Sequence, residues 1–332
     1  MEVISPLDRG RWSWGGAPPP VVEHRGRRCV RLSSDDGARL VTVAGTGSRD
    51  GVLEADVCVP AARSFHGLIW RAVGRNYESF FCRPHQVGFP DAIQYTPVCN
   101  GMSCWQLYHG PGFWNAVRYP IGDWFTIRVA FADSAALVHL DGDEVLQAPL
   151  RLPATAGAFG VIVGGEDLML AELRFAEGAT VPQIPDPPAD PRAVASWEVS
   201  DPFPEADIGI APELDGRTWA TLEAEPSGLA NLSRLHPVDG ERNTVYARAT
   251  IRSDRDARRR IDFGFSDRAV VFLNGVRLYR GDATYRSWDH RFLGSIGWHD
   301  SLDLPLVEGA NELVVAVSED FGGWGVQARF PG

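Results

Sequence analysis

The chain has 332 residues, 44% of them hydrophobic and 23% charged, with a formal net charge of −11. That length allows two ordinary domains, each able to bury its own core. The acidic balance excludes nucleic acid and acidic membrane surfaces as expected partners, because phosphate binding needs a basic footprint, and no apolar run approaches the ~18–20 residues of a membrane span.

Every basic side chain other than histidine is arginine. Lysine Schiff-base chemistry and a phosphate-loop lysine are therefore excluded. The opening "MEVISPLDRGRWSWGG" has neither a basic nor an apolar signal region, so a cytoplasmic protein is expected, or a secreted one if a signal was removed. Five cysteines (29, 58, 82, 99, 104) make an odd number, which favours reduced thiols. Cys99 and Cys104 lack a C-x-x-C partner, which argues against zinc.

In chain order, the first half shows short runs divided by Gly, Pro, Asp and Asn: 51–59, 65–72, 77–84, 92–98, 103–109, 123–131, 135–148, 158–165 and 168–175. No helical period persists, and this alternation predicts strands. Asp141-Gly142 marks a hairpin. "ATVPQIPDPPADPRA" at 179–193 carries five prolines and reads as a semi-rigid connector. Beyond it, 244–253, 259–266, 269–281 and 311–320 are strands, Asn274-Gly275 closes another hairpin, and 321–330 is a glycine-bent last strand. The predicted fold is all-β: a sandwich over 1–178, a Pro-rich linker over 179–195, and a jelly-roll sandwich over 196–332. The basic cluster "RDARRR" at 255–260 is interleaved with Asp254, Asp256 and Asp262 and reads as a solvated loop or strand edge.

"GLIWRAVGRNYESFFCRPHQVGFPDAIQYTPVCNGMSCWQLYHG", followed by "DWFTIRVAFADSAALVHLDGDEVLQAPL", resembles concanavalin A-like lectin/glucanase domains, nearest the laminin-G-like and 3-keto-disaccharide hydrolase-like branch. The resemblance spans roughly 50–176. "FSDRAVVFLNGVRLYRG" and "SEDFGGWGVQARF" are similar to galactose-binding-like jelly rolls. These resemblances imply a concave, sugar-binding face. The related glucanases carry Glu-x-Asp-x-x-Glu. Within the resembling stretch the one Glu-x-Asp is Glu54-Ala55-Asp56, and Val59 stands where the second Glu belongs. Retaining chemistry by that motif is not expected.

Strand parity then assigns faces. Phe80 and Cys82 oppose Phe81, Arg83 and His85; Ile93 and Tyr95 oppose Gln94 and Thr96; Trp105 and Leu107 oppose Gln106 and Tyr108. One set feeds the core, Trp105 included. The other offers guanidinium, imidazole, amide and phenol groups suited to a polyhydroxylated or aromatic ligand. Arg71, Gln94, Tyr95, Gln106 and Tyr108 are the candidate ligand-binding residues. The alternative is that these groups satisfy loop backbone.

Only Glu78 and Asp91 are carboxyls between 65 and 122, and Asp91 also suits a turn cap. His85 and His109 are the acid/base candidates, with Arg83 stabilising an oxyanion and Asp91 as the carboxyl. No G-x-S-x-G occurs. No cofactor is expected; "LDGDE" (140–144) and "GGEDL" (164–168) both offer clustered oxygen ligands of the kind calcium accepts, the first reading before that as a hairpin turn. Arg286, Trp288, His290, Trp298, His299 and Trp324 suggest a loop packed on a sandwich edge. Asn231-Leu232-Ser233 matches a glycosylation acceptor.

Three functions compete: a sugar-binding or sugar-active protein (hydrolase or lyase); an intracellular small-molecule enzyme such as a lyase, isomerase or cyclase; and a non-catalytic interaction module. The expected partner is a saccharide or other small molecule. Nothing in the sequence specifies an oligomeric state.

Overall fold

The computed structural model describes residues 1–288 and 292–331. His290 lies outside the described residues. The chain forms two compact units. The first comprises Met1–Val98 and His109–Pro185; the second comprises Cys99–Tyr108 and the chain from Asp186 onward.

The first unit is built from β1 (Glu2–Ile4), β2 (Trp12–Ser13), β3 (Val21–His24), β4 (Arg27–Val43), β5 (Gly51–Cys58), β6 (Ser64–Val73), β7 (Asn76–Cys82) and β8 (Ile93–Cys99). After the short β9 (Met102–Ser103) come β10 (Trp114–Asn115), β11 (Trp124–Ala132), β12 (Ala135–Leu140), β13 (Asp143–Pro149) and β14 (Ala158–Glu177). Neighbouring strands run β10-β8-β7-β6-β14-β5-β11-β12-β13, with β4 also paired to β14. Strand β14 serves both layers: its first part pairs with β6, its second with β5. The register against β4 shifts between Gly164 and Leu168, where Gly165 takes φ +85. So "GGED" is a bend between the layers, and Asp167 lies 3.8 Å from Arg31.

The core between the layers stacks Trp70 on Tyr95 (6.3 Å) and on Phe131 (5.7 Å). Asp141 and Gly142 both adopt positive φ, +50 and +92, as the two-residue hairpin requires. Val181 and Ile184 pack on Ala130, Ala132 and Ala135. The start of the proline-rich segment is therefore anchored to this sandwich, although 178–190 carries no regular structure.

The second unit pairs a six-stranded sheet with a four-stranded one. The first is β16-β15-β18-β23-β20-β21, built from β15 (Ser196–Ser200), β16 (Trp219–Glu223), β18 (Thr244–Ser253), β20 (Arg268–Leu273), β21 (Val276–Asp282) and β23 (Gly309–Ser318). The second is β17-β24-β19-β22, built from β17 (Leu229–Asn231), β19 (Ala257–Ser266), β22 (Asp300–Leu306) and β24 (Gly325–Arg329). Trp197 and Trp324 lie in its core. Trp324 is thus packing rather than part of the 285–300 loop. In that loop Trp288 stacks on Phe292 at 4.9 Å and donates its indole N–H to the Asp282 carbonyl (3.1 Å). Asn231 is buried and its side-chain oxygen caps the Ser233 amide at 3.1 Å, so it cannot receive a glycan in the folded chain.

Two strand expectations are corrected. Residues 104–108 form a turn, with Leu107 and Tyr108 amides bonded to the Cys104 carbonyl (3.1 and 3.2 Å). Strand parity cannot hold there, and Trp105 is half-buried beside Tyr285 and Phe321 rather than central in the core. Strand β7 ends at Cys82, and Pro84–Gln86 is a single 3-10 turn. Proline's fixed φ starts that turn, so His85 does not continue the alternation from Phe81.

Candidate functional site

The face of β6, β7 and β8 directed away from the main core is not a polar solvent face. Ile69, Tyr77, Phe81, Val98 and Ile162 form a second buried cluster on it. Gln94, Thr96 and Ser79 are buried as well. One cross-strand row reads Leu40, Ile162, Gly67, Phe81, Gln94, Trp114. It ends at the sheet edge on the half-buried Trp114.

Trp114 reaches that place through "HGPGFWN". Gly110 and Gly112 take φ +80 and +86, and the Phe113 and Trp114 amides both bond the Gly110 carbonyl (3.0 and 3.1 Å). These tight turns need glycine's access to positive φ. They bring the chain back beside β8, in register with Gln94.

An open groove of ≈ 470 Å³ lies here, lined by Trp114, Asn115, Pro90, Pro111, Leu146 and Gln147 among others. Its walls are β10 and β13, the two terminal strands of the sheet path. Asn115 Nδ2 donates to the Val145 carbonyl (2.8 Å) and ties them together. Gln147 Nε2 donates to Glu144 Oε1 (2.7 Å). Both amide nitrogens are therefore used within the walls. Asn115 Oδ1, Gln147 Oε1 and Glu144 Oε2 accept no hydrogen bond among the described residues. The groove thus offers an indole face, two proline rings and two acceptor oxygens, Asn115 Oδ1 and Gln147 Oε1.

The candidate residues named from the sequence divide into four groups. His109 packs its ring on Trp114 (5.6 Å), and Gln94 is Trp114's cross-strand partner, so these two border the groove. Arg83 and Asp91 form an ion pair at the end of β7, one residue past the groove's Pro90. His85 packs edge-on to Phe65 (5.4 Å), whose ring also meets Arg83 (5.5 Å) and Arg63 (5.9 Å). Burial, with Arg83 and Arg63 close by, lowers the His85 pKa to about 4. Its imidazole is neutral at neutral pH and a weak base.

Tyr95 is a core ring. It donates to Glu78 Oε2 (2.7 Å) and accepts from the Arg151 amide (2.9 Å). Glu78 is fully buried and also accepts from the Leu152 amide (3.0 Å); burial pushes its carboxyl up to about 7. Arg71 is 2% exposed and takes φ +53. It donates to the Arg49 carbonyl (2.6 Å), the Asp133 carbonyl (2.8 Å) and Asp50 Oδ1 (3.1 Å). Gln106 and Tyr108 belong to the second unit. There Gln106 donates to the Leu293 carbonyl (3.0 Å), and Tyr108 bonds Glu225 and accepts from Asn231 (3.2 Å).

Among the described residues no three His, Cys, Asp or Glu side chains converge as a metal site requires. All five cysteines are buried and none is in a disulfide.

The second unit buries two carboxyls, Asp267 and Glu319, at 0% exposure. Asp267 Oδ2 accepts from the Asp320 amide and Glu319 Oε1 from the Gly323 amide, both at 3.0 Å. Asp267 Oδ1 and Glu319 Oε2 have no hydrogen-bond partner among the described residues. Burial pushes Asp267 up to about 6 and Glu319 well above the ordinary carboxylate range, the Asp267 charge adding to the effect at Glu319. The folded state therefore keeps protons that the unfolded chain releases near pH 4, and stability falls as pH rises through 6. Holding Asp267 up at about 6 is worth about 3 kcal/mol. Calorimetry should show the second unit melting lower at pH 8 than at pH 5. Glu319→Gln keeps the Gly323 acceptor, removes one charge and should flatten that dependence. An unchanged slope in Glu319→Gln would count against it.

Trp114, Asn115 and Gln147 escaped the sequence reading. Their signal was the glycine-flanked aromatic in "HGPGFWN", which lies just beyond the strand-like segments, and a hairpin arm read for its strand and turn and for the oxygen ligands of "LDGDE".

No protein-family model matches the chain, and no curated protein sequence matches it significantly. Among solved structures, a carbohydrate-binding module from Bacillus subtilis aligns with 14% identity and TM-score 0.39, over 50% of this chain and 94% of that one. A Bacillus subtilis protein of unknown function with a galectin-like fold aligns with 9% identity and TM-score 0.41, over 52% and 91%. A Bacillus licheniformis beta-glucanase aligns with 11% identity and TM-score 0.38, over 53% and 99%. These are likenesses of fold to all-β sandwiches, and the functional reading rests on the side chains.

Proposed function

We propose that the first unit is a carbohydrate-binding module whose ligand lies in the groove between β10 and β13. The observation that carries this reading is the composition of that groove: a half-buried indole and two prolines beside two amide oxygens with no protein donor. Sugar rings present flat C–H faces to aromatics and hydroxyl donors at their edges, so both halves of the set are used. Binding is favoured over hydrolysis. Glycoside cleavage needs two working carboxyls. No carboxyl is among the described residues lining the groove; Asp143 and Glu144 stand at the start of β13, and the neighbouring Asp91 is 8% exposed and held by Arg83. The neutral, weakly basic His85 is a poor proton donor at neutral pH.

The test is a glycan array followed by calorimetry on the best binder. Trp114→Ala should weaken binding by about 10- to 100-fold, the ~1.5–3 kcal/mol of one buried aromatic contact. Gln147 is exposed, and Gln147→Ala should weaken binding without changing the melting temperature. Glycan binding that survives both substitutions would rule out the groove.

A further inference from the structure

The basic cluster of the second unit does more than coat a strand edge. Strand β18 of the six-stranded sheet turns into β19 of the four-stranded sheet through residues 254–256. The chain thereby crosses from one layer to the other. At this end of the sandwich lies an open hollow of ≈ 640 Å³ walled by Arg252, Arg255, Arg258 and Arg259, with the buried Leu306 at its base. The four arginines line it together with a single acidic residue, Asp254. Arg252, Arg255 and Arg258 have no carboxylate within ion-pair distance among the described residues, and Arg259 lies over the Phe330 ring at 4.1 Å. The nearby Asp256 is occupied by the Glu308 amide (2.8 Å), and Asp262 by Arg260 (3.0 Å).

Four like charges around one concavity repel one another unless a counter-charge sits between them, and an Arg fork matches the geometry of an oxyanion. We infer that this hollow binds a compact polyanion, a small molecule carrying two or more phosphate, sulfate or carboxylate groups. Its volume is that of a small-molecule site. A long polyanion fits less well. Asp256, Asp303 and Glu308 are exposed around the cluster, and a chain of net charge −11 repels a duplex that carries one charge every ~1.7 Å.

The experiment is calorimetry on the full chain in 50 mM salt, with tripolyphosphate, citrate, a DNA duplex and heparin as probes. Saturable one-site binding of tripolyphosphate or citrate is expected, and the two separate a phosphate preference from a carboxylate one. Arg255→Ala combined with Arg258→Ala should weaken it by about ten-fold or more. Arg252→Glu should do the same independently. All three side chains are exposed, so the circular dichroism spectrum should not change. No binding of either compact anion would overturn the inference. So would tighter binding of duplex or heparin, or compact-anion binding that is indifferent to the substitutions.

Discussion

Arg71→Met is expected to destabilise the first unit by about 3–5 kcal/mol, the cost of removing one partner from a buried charged network. Methionine keeps much of the stem but none of the donors. Three acceptors lose their partner: the carbonyls of Arg49 and Asp133, and the Asp50 carboxylate. Asp50 also accepts from the Asp133 amide (3.0 Å), so the two chain segments that Arg71 clamps come loose together. The Arg71 guanidinium lies 5.7 Å from the Phe131 ring, and that contact goes as well. Urea denaturation should show the midpoint fall with an unchanged slope. Saccharide affinity should be retained under conditions where the variant remains folded. A stability change below about 1 kcal/mol, together with lost ligand binding, would return Arg71 to the ligand-binding role its composition suggested.

Gly67→Ala should be more damaging still. A Cβ at Gly67 would sit 1.9 Å from the Phe80 carbonyl oxygen and 2.6 Å from the Phe81 Cα. Both are backbone atoms of the neighbouring strand, so no rotamer change relieves the clash. The β6–β7 pairing must open instead. Substitutions in this class reach about 4–5 kcal/mol or more. Gly67 also belongs to the row that runs through Phe81 and Gln94 to Trp114. A variant folded at low temperature should therefore also bind saccharide more weakly. Native-like stability and affinity in Gly67→Ala would show that the two strands are less closely spaced than described.

Much of the fold was legible because its signals are local. Alternation placed β6, β7 and β8 within one or two residues, and two glycine turns at Asp141-Gly142 and Asn274-Gly275 are the hairpins expected of them. What escaped depends on distant partners. The burial of Gln94 and Thr96 needs a second apolar cluster whose members come from five strands. The turn at 104–108 is held by Asn231, Gly322 and Leu293, more than 120 residues away in each case, and no local pattern announces that. Parity failed at His85 for a local reason, the proline that ends the extended run. Composition named polar residues worth explaining, but it could not separate a guanidinium that holds its own loops, as Arg71 does, from one left unpaired, as at Arg255.

The central claim is the location of the saccharide, and hydrogen–deuterium exchange in the presence and absence of the best-binding glycan tests it most directly. Slowed exchange confined to peptides covering 90–94, 110–116 and 143–147 is the expected result, with 63–86 little changed. Protection centred on 63–86, or none in the first unit at saturating glycan, would contradict it.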